Sequence, residues 1–259
     1  MLGAIAGDMI GAIYEMAPTT RKDFPLFTKL SDFTDDTVLT VATADCLLRG
    51  GDYAEAYRRF ARAHPRRGYG QSFRSWAFRD DQGPYGSMGN GSAMRVSPVG
   101  FACDSVEQVL AEAKRSAEVT HNHPDGIKGA QAAALAVFLA RTGAEKKEIR
   151  EEISGRFGYR LDRSLKKIRE NPGPVWSAPG SVPEAIICFL KAKSVEDAIR
   201  NAVSLGGDAD TQACIAGGIA EAFFGGVQEE IASEVRKRLP EDFLAIVEAF
   251  YDRFVRKSP

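Results

Sequence analysis

Two short acidic clusters carry the chemistry that this chain shows most directly. The first is Thr34-Asp35-Asp36-Thr37, set before an apolar helical run from Val38. The second is Gly206-Gly207-Asp208-Ala209-Asp210-Thr211, set before an Ala- and Gly-rich run from Ala213. A helix start needs one Asp, Ser or Thr to satisfy its free amides and favour its dipole. Each cluster offers two carboxylates and a hydroxyl, more than a cap uses. Brought together in space, four like charges would have to be neutralised. Two divalent cations cancel four formal charges, and an all-oxygen donor set favours Mg²⁺, Mn²⁺ or Ca²⁺ over Zn²⁺. Other helical metal enzymes fit less well. Asp35-Asp36-Thr37-Val38-Leu39 lacks the last acid of a DDxxD motif, no His-Asp dipeptide is present, and there is no GxxxxGK[ST] loop.

Further polar residues stand in unexpected settings. Asp8 interrupts an apolar first helix and is followed by Glu15 at i+7; a buried acid needs partners, so Asp8 is expected to be structural and Glu15 to reach the site. Gly86-Ser87-Met88-Gly89-Asn90-Gly91-Ser92-Ala93-Met94-Arg95 is a glycine-rich turn whose free amides could hold a diphosphate without lysine. Thr120-His121-Asn122-His123-Pro124 holds two of the three histidines, with no further nitrogen or sulfur ligands at zinc spacing; contact with a ligand's sugar or phosphate is the expectation. Arg66-Arg67-Gly68-Tyr69-Gly70 could line a groove over an anion.

The elements that must position these residues are helices. Val38 to Leu48, Val106 to Ala117, Ile127 to Leu139, Pro183 to Leu190, Val195 to Val203, Ala213 to Phe224 and Phe243 to Phe254 repeat apolar residues at helical spacing. Start signals stand at Ser105, at Ser181 with Glu184 three later, at Ser194, and at Pro124 and Pro240 as first helical residues. Arg95 to Phe101 is the one strand-like run, weakened by Pro98. His64 to Gly91 reads as a long functional loop. Gly3, Gly7 and Gly11 recur every four residues, as do Gly218, Ala222 and Gly226, predicting faces where another backbone approaches closely. With no linker or repeat, the expectation is one all-α domain over residues 1–259.

Composition narrows the function. Hydrophobic residues are 44% and charged residues 27%, which excludes disorder and fibrous repeats. The 34 basic and 35 acidic side chains leave a net charge of −1, against a nucleic-acid-coating protein. Cys46, Cys103, Cys188 and Cys214 form no CxxC pair and read as reduced core thiols. The amino terminus lacks a signal peptide's basic start, and the longest apolar run, Ala132 to Ala140, is about half a membrane span. A cytoplasmic protein with no membrane partner is expected.

The ordered set GDMIGAIYE (Gly7 to Glu15), TDDT, RGYGQSF (Arg67 to Phe73), GNGSAMR (Gly89 to Arg95), THNHP and GGDADTQACIAGGIA (Gly206 to Ala220) resembles the ADP-ribosylglycohydrolases, relatives of the dinitrogenase reductase-activating glycohydrolase. The resemblance runs in order to about Phe224. It implies a compact orthogonal helical bundle with a dinuclear Mg²⁺ or Mn²⁺ cleft, and removal of ADP-ribose from a modified acceptor. It assigns Thr34, Asp35, Asp36, Asp208, Asp210 and Thr211 as metal ligands, Glu15 as the acid beside them, and the turn at Gly89, Asn90, Gly91 and Ser92 as the diphosphate holder; His121 is the histidine expected from its own setting to touch the ligand. At 259 residues the chain is shorter than many members, which leaves the acceptor-side loops open.

Cleavage at the ribose C1″ would pass through an oxocarbenium-like state. Asp210 or Glu15 could take a proton from water or assist the leaving group; residue type leaves both roles open. The resemblance covers arginine- and serine-directed enzymes, and a non-hydrolytic ADP-ribose-binding module is the alternative within the same fold. A guanidinium acceptor is favoured because it pairs well with carboxylates, which Glu15 with Asp32 or the Asp80-Asp81 pair could supply.

Overall fold

The computed structural model describes residues 1–256, which form helices and loops with no strand among the described residues. In chain order the helices are α1 (Leu2–Met16), α2 (Asp35–Arg49), α3 (Tyr53–Ala63), α4 (Gln71–Ala77), α5 (Gly91–Met94), α6 (Ser97–Ala102), α7 (Val106–Glu118) and α8 (Pro124–Arg141). There follow α9 (Lys146–Phe157), α10 (Leu165–Glu170), α11 (Ala178–Lys191), α12 (Val195–Val203), α13 (Ala209–Phe224), α14 (Glu229–Arg238) and α15 (Glu241–Phe250), the last running into a π-helical turn at Tyr251–Val255. None is long and apolar enough to cross a membrane. All four cysteines are free, three of them buried and Cys103 half-buried.

Most start signals become helix N-termini. Ser105 and Ser194 accept hydrogen bonds from the amides of Gln108 and Asp197, and Pro124 is the first residue of α8. Pro240 sits one residue earlier than expected, as the cap of α15. Four expectations are corrected. Arg95 to Phe101 is not a strand: Pro98 opens α6, where a missing amide costs nothing. The cap of α11 is Ser177, not Ser181, so Pro183 lies inside the helix. Within the long His64–Gly91 loop, Gln71–Ala77 forms a short helix. Finally, α2 and α13 begin at Asp35 and Ala209, before the apolar periodicity starts, so acidic residues occupy their first turns.

The α1–α13 seam sets the frame. A Cβ on Gly3 would lie 2.3 Å from the Gly217 carbonyl oxygen, on Gly7 2.1 Å from that of Ala213, and on Gly11 2.5 Å from the Asp210 Cα. Each glycine costs about 0.5–1 kcal/mol within a helix relative to alanine. The return is direct backbone contact, which seats the start of α13 on α1. The α13 side of this seam is Asp210, Ala213, Gly217 and Glu221 rather than the stripe from Gly218. Gly218 faces Ala4 and Ser97, and Gly226 lies beyond the helix end. Alanine-rich α8 is buried over most of its circumference and packs against α6, α7, α11 and α13.

Candidate metal centre and active site

The two acidic clusters meet. Thr34 caps α2, its hydroxyl oxygen accepting from the Asp36 amide at 3.3 Å, and Asp35 and Asp36 form the first turn. Asp208 holds the cap position of α13, and Asp210 and Thr211 lie in its first turn. The Thr211 hydroxyl donates to Asp36 Oδ2 at 3.3 Å, joining the clusters across the site. Two groups of carboxylates lie close enough to share an ion: Asp8, Asp36 and Asp210, and Glu15, Asp208 and Asp210. Asp210 belongs to both.

Asp8 is already satisfied. It accepts from the amides of Thr34 and Thr37 at 3.0 Å each and from both threonine hydroxyls, at 2.7 and 2.5 Å, so it fixes the start of α2 in place. Asp36 is the opposite case: its Oδ1 is buried and has no hydrogen-bond partner. A buried unpaired carboxylate oxygen is costly unless something positive faces it. Burial, then neighbouring carboxylates, pushes Asp36 well above its ordinary range. Asp210 rises to about 10 from burial and the Asp208 charge, and Asp35 to about 8 from burial and Asp8. The orphaned oxygen, the convergent acids and the all-oxygen donors fit a hard divalent ion.

These residues floor a cavity of about 470 Å³. Thr34, Asp35, Asp36, Asp208, Asp210 and Thr211 all line it, as do Glu15, Gly89, Asn90, Gly91 and His121. Glu15 is exposed at the mouth, and burial plus the Asp208 charge raises its pKa. The amides of Gly91 and Ser92 donate to no acceptor among the described residues. Gly89 pairs with Ser177 in an isolated bridge, which clips the glycine turn to the start of α11.

Several expected contacts are redirected. Ser92 is fully buried, and its hydroxyl donates to the Gly126 carbonyl rather than facing the cavity. The Asn90 side chain is used on Asp208 Oδ2 at 2.7 Å and the Val175 carbonyl at 3.2 Å, so it orients a cluster acid. His123 caps α8 through its Nδ1, leaving His121 as the cavity histidine of that pair. Arg67 does not cover the cavity: its guanidinium stacks 3.6 Å over Phe33 and pairs with Asp32, while its carbonyl accepts from the Asp35 amide. Gly68, at φ 90°, passes Asp35 Oδ1 so closely that a Cβ would lie 3.3 Å away. Asp32 is spent on Arg67 and Asp80 on Arg62, and neither they nor Asp81 line the cavity. Sequence reasoning missed Trp176, 60% exposed at the rim, and Tyr85. The Pro- and Gly-rich stretch Asn171 to Gly180 was the available signal for Trp176.

The helical frame brings carboxylates from two helix starts together in one open cleft. Over residues 1–259 the sequence matches the ADP-ribosylglycohydrolase family, and the chain belongs to it. It is 30% identical to the mouse ADP-ribosylhydrolase ARH3 over 305 residues, covering 87% of this chain and 82% of that protein. The human ARH3 is also 30% identical, over 87% and 84%. The ADP-ribosylarginine hydrolase Tri1 of Pseudomonas putida is 27% identical, over 87% and 69%. A solved structure titled ADP-ribosylglycohydrolase-related protein complex superposes with a TM-score of 0.72 at 26% identity, covering 97% of this chain and 96% of that one.

Proposed function

We propose that this protein is a divalent-metal-dependent hydrolase that releases ADP-ribose from an arginine-linked acceptor. The observation that carries the metal dependence is the unpaired, buried Asp36 Oδ1 among convergent carboxylates. Thr34, Asp35, Asp36, Asp208, Asp210 and Thr211 would hold two cations, Mg²⁺ or Mn²⁺. Such ions supply Lewis-acid charge that holds hydroxyls and polarises water. The chain's own residues do the rest. The Gly89–Gly91 turn, with the free amide of Gly91, binds the diphosphate. Glu15, raised by burial and Asp208, stands at the mouth where a proton can be exchanged. Water's oxygen bonds to C1″, the bond from C1″ to the acceptor nitrogen breaks, and Glu15 passes water's proton to the leaving guanidine.

Support for arginine now rests on the cavity itself. Its lining carries Glu15, Asp35, Asp36, Asp208 and Asp210 against a single cationic side chain, Arg95. With the four cluster acids committed to cations, Glu15 is the lining carboxylate left to pair with a leaving group, and it suits a guanidinium better than a neutral serine hydroxyl. A relative named for ADP-ribosylarginine hydrolysis, matched over 87% of this chain, points the same way. The test sets one protein modified on arginine beside one modified on serine, with Mg²⁺, with Mn²⁺ and with EDTA. Metal-dependent release, faster from arginine, is expected. Faster release from serine overturns the acceptor, and undiminished turnover after chelation overturns the metal.

A further inference from the structure

Arg95 ends the GNGSAMR motif and has no role in the chemistry above. It is fully buried yet faces no carboxylate. Its Nη2 donates to the Ser116 carbonyl at 2.8 Å and to Thr120 Oγ1 at 2.9 Å, and its guanidinium lies 4.0 Å over the Tyr57 ring. Its Nε and Nη1 have no partner. Burying a cation this way is expensive, so some gain elsewhere is implied.

The gain is visible one bond further on. Thr120 Oγ1 lies 2.8 Å from His121 Nδ1. Arginine has no acceptor, so the threonine oxygen must accept from Arg95. Thr120 is fully buried, and His121 Nδ1 is the one acceptor its hydroxyl hydrogen reaches among the described residues. That bond forms only if Nδ1 is unprotonated, which places the ring's hydrogen on Nε2. The opposite tautomer would strand a buried hydroxyl hydrogen. An imidazolium would set a second donor against the same oxygen and a second charge beside an uncompensated guanidinium. Burial, and then Arg95, accordingly lower the His121 pKa. On its other side the ring meets the glycine turn. Its Nε2 would lie 3.0 Å from a Cβ on Gly91 and 3.5 Å from one on Gly89, and it donates to no protein acceptor among the described residues.

We propose that Arg95 and Thr120 are positioning residues that lock His121 as the neutral Nε2–H tautomer, so that the cleft presents a fixed donor beside the Gly89–Gly91 turn. What this donor addresses, a diphosphate or ribose oxygen, rests on the function proposed above. The tautomer does not.

The experiment records long-range ¹H–¹⁵N correlations of the imidazole rings in the full chain at pH 7, without ligand. Wild type, Thr120→Val and Thr120→Ser are compared, and titration with free ADP-ribose in Mg²⁺ follows. With three histidines in the chain, His121→Gln identifies the signal. The Nε2–H pattern is expected in wild type and Thr120→Ser. Thr120→Val, folded by circular dichroism, should show mixed tautomers and bind ADP-ribose about tenfold more weakly, the loss of one hydrogen bond to a charged group. An Nδ1–H or imidazolium pattern at His121 in wild type overturns the proposal whether or not Thr120→Val folds. So does an unchanged Nε2–H pattern in Thr120→Val. The expected tautomers in a protein that binds no ADP-ribose would uphold the lock and sink the ligand reading.

Discussion

Helix α13 carries a buried carboxylate at each end of the glycine seam, and the two are provided for very differently. Glu221, 3% exposed, receives the Met1 amine, the Gly3 amide at 2.7 Å and the Tyr251 hydroxyl. Asp210, 6% exposed, accepts the adjacent Thr211 amide and otherwise faces acids, beside an Asp36 oxygen with no partner. Burial therefore does not distinguish these two acids. The supply of donors differs: Glu221 and Asp8 are saturated, while Asp36 Oδ1 has no partner and Asp210 takes one amide. The seam serves both ends, closing the core around Glu221 and pressing Asp210 against Gly11.

The largest effect that sharpens this contrast is on turnover. Asp36→Asn and Asp210→Asn should each lower hydrolysis by about three orders of magnitude, as loss of a group holding transition-state charge would. In chelated protein near neutral pH both variants should melt no lower than wild type, because the raised acids are already largely protonated there and asparagine is a neutral isostere. Residual activity near wild type, or melting well below it, would erase the distinction between the two ends. Glu221→Gln should invert the pattern. It leaves the Met1 amine buried without its counter-charge, for a loss of about 3–5 kcal/mol. The fraction still folded should turn over at the wild-type rate, which activity per folded molecule measures.

The fold class, both acidic clusters and most helix starts were legible because caps and apolar spacing are local. Ser105, Ser194 and Pro124 each stand within a residue of the helix they start. What escaped reading depends on the partner. Gly217 and Gly218 are equally small, and only the 100° step between them decides which meets Gly3. Asn90 looks like a turn residue until its amide is seen on Asp208. Asp32 and Asp80 looked free until Arg67 and Arg62 were found beside them. The cleft residues could thus be named by type, while which of them neighbours saturate and which they leave unpaired came from contacts that sequence distance conceals.

Proton linkage gives a smaller signature of the same contrast. In metal-free protein Asp35 and Asp210 titrate near 8 and 10, and Asp36 well above its ordinary value, against about 4 in the unfolded chain. A carboxylate raised on folding stabilises fully below the unfolded value and loses that contribution as pH climbs through the folded one. Metal-free protein should therefore weaken steadily from pH 6 to pH 9. If these acids hold cations as proposed, the ions would bind the deprotonated forms and stabilise more as protons leave. The melting-temperature gap between Mg²⁺ and EDTA should widen by several degrees over that range. A gap that is constant or narrows with pH would show that these acids are not the ligands.

The smallest effects belong to acids that are exposed and already paired. Asp32 is 59% exposed and holds Arg67 at 2.5 Å; Asp80 is 82% exposed and holds Arg62 at 2.5 Å. Exposed pairs gain little from Coulomb attraction in water and lose side-chain entropy in forming. Both guanidiniums keep other partners after the carboxylate goes. Arg67 retains the Phe33 ring and carbonyl, and Arg62 retains the Ala77 carbonyl. Asp32→Asn and Asp80→Asn should therefore leave the melting temperature within about a degree of wild type. Neither acid lines the cavity, so release from an arginine-linked substrate should stay within about twofold, with the preference over serine intact. Glu15→Gln is the control that must differ, since Glu15 alone of these acids stands at the mouth. A change of acceptor preference in Asp32→Asn would mean that the Arg67 pair opens to meet the acceptor, and that the boundary between paired and reactive acids lies further out than Glu15.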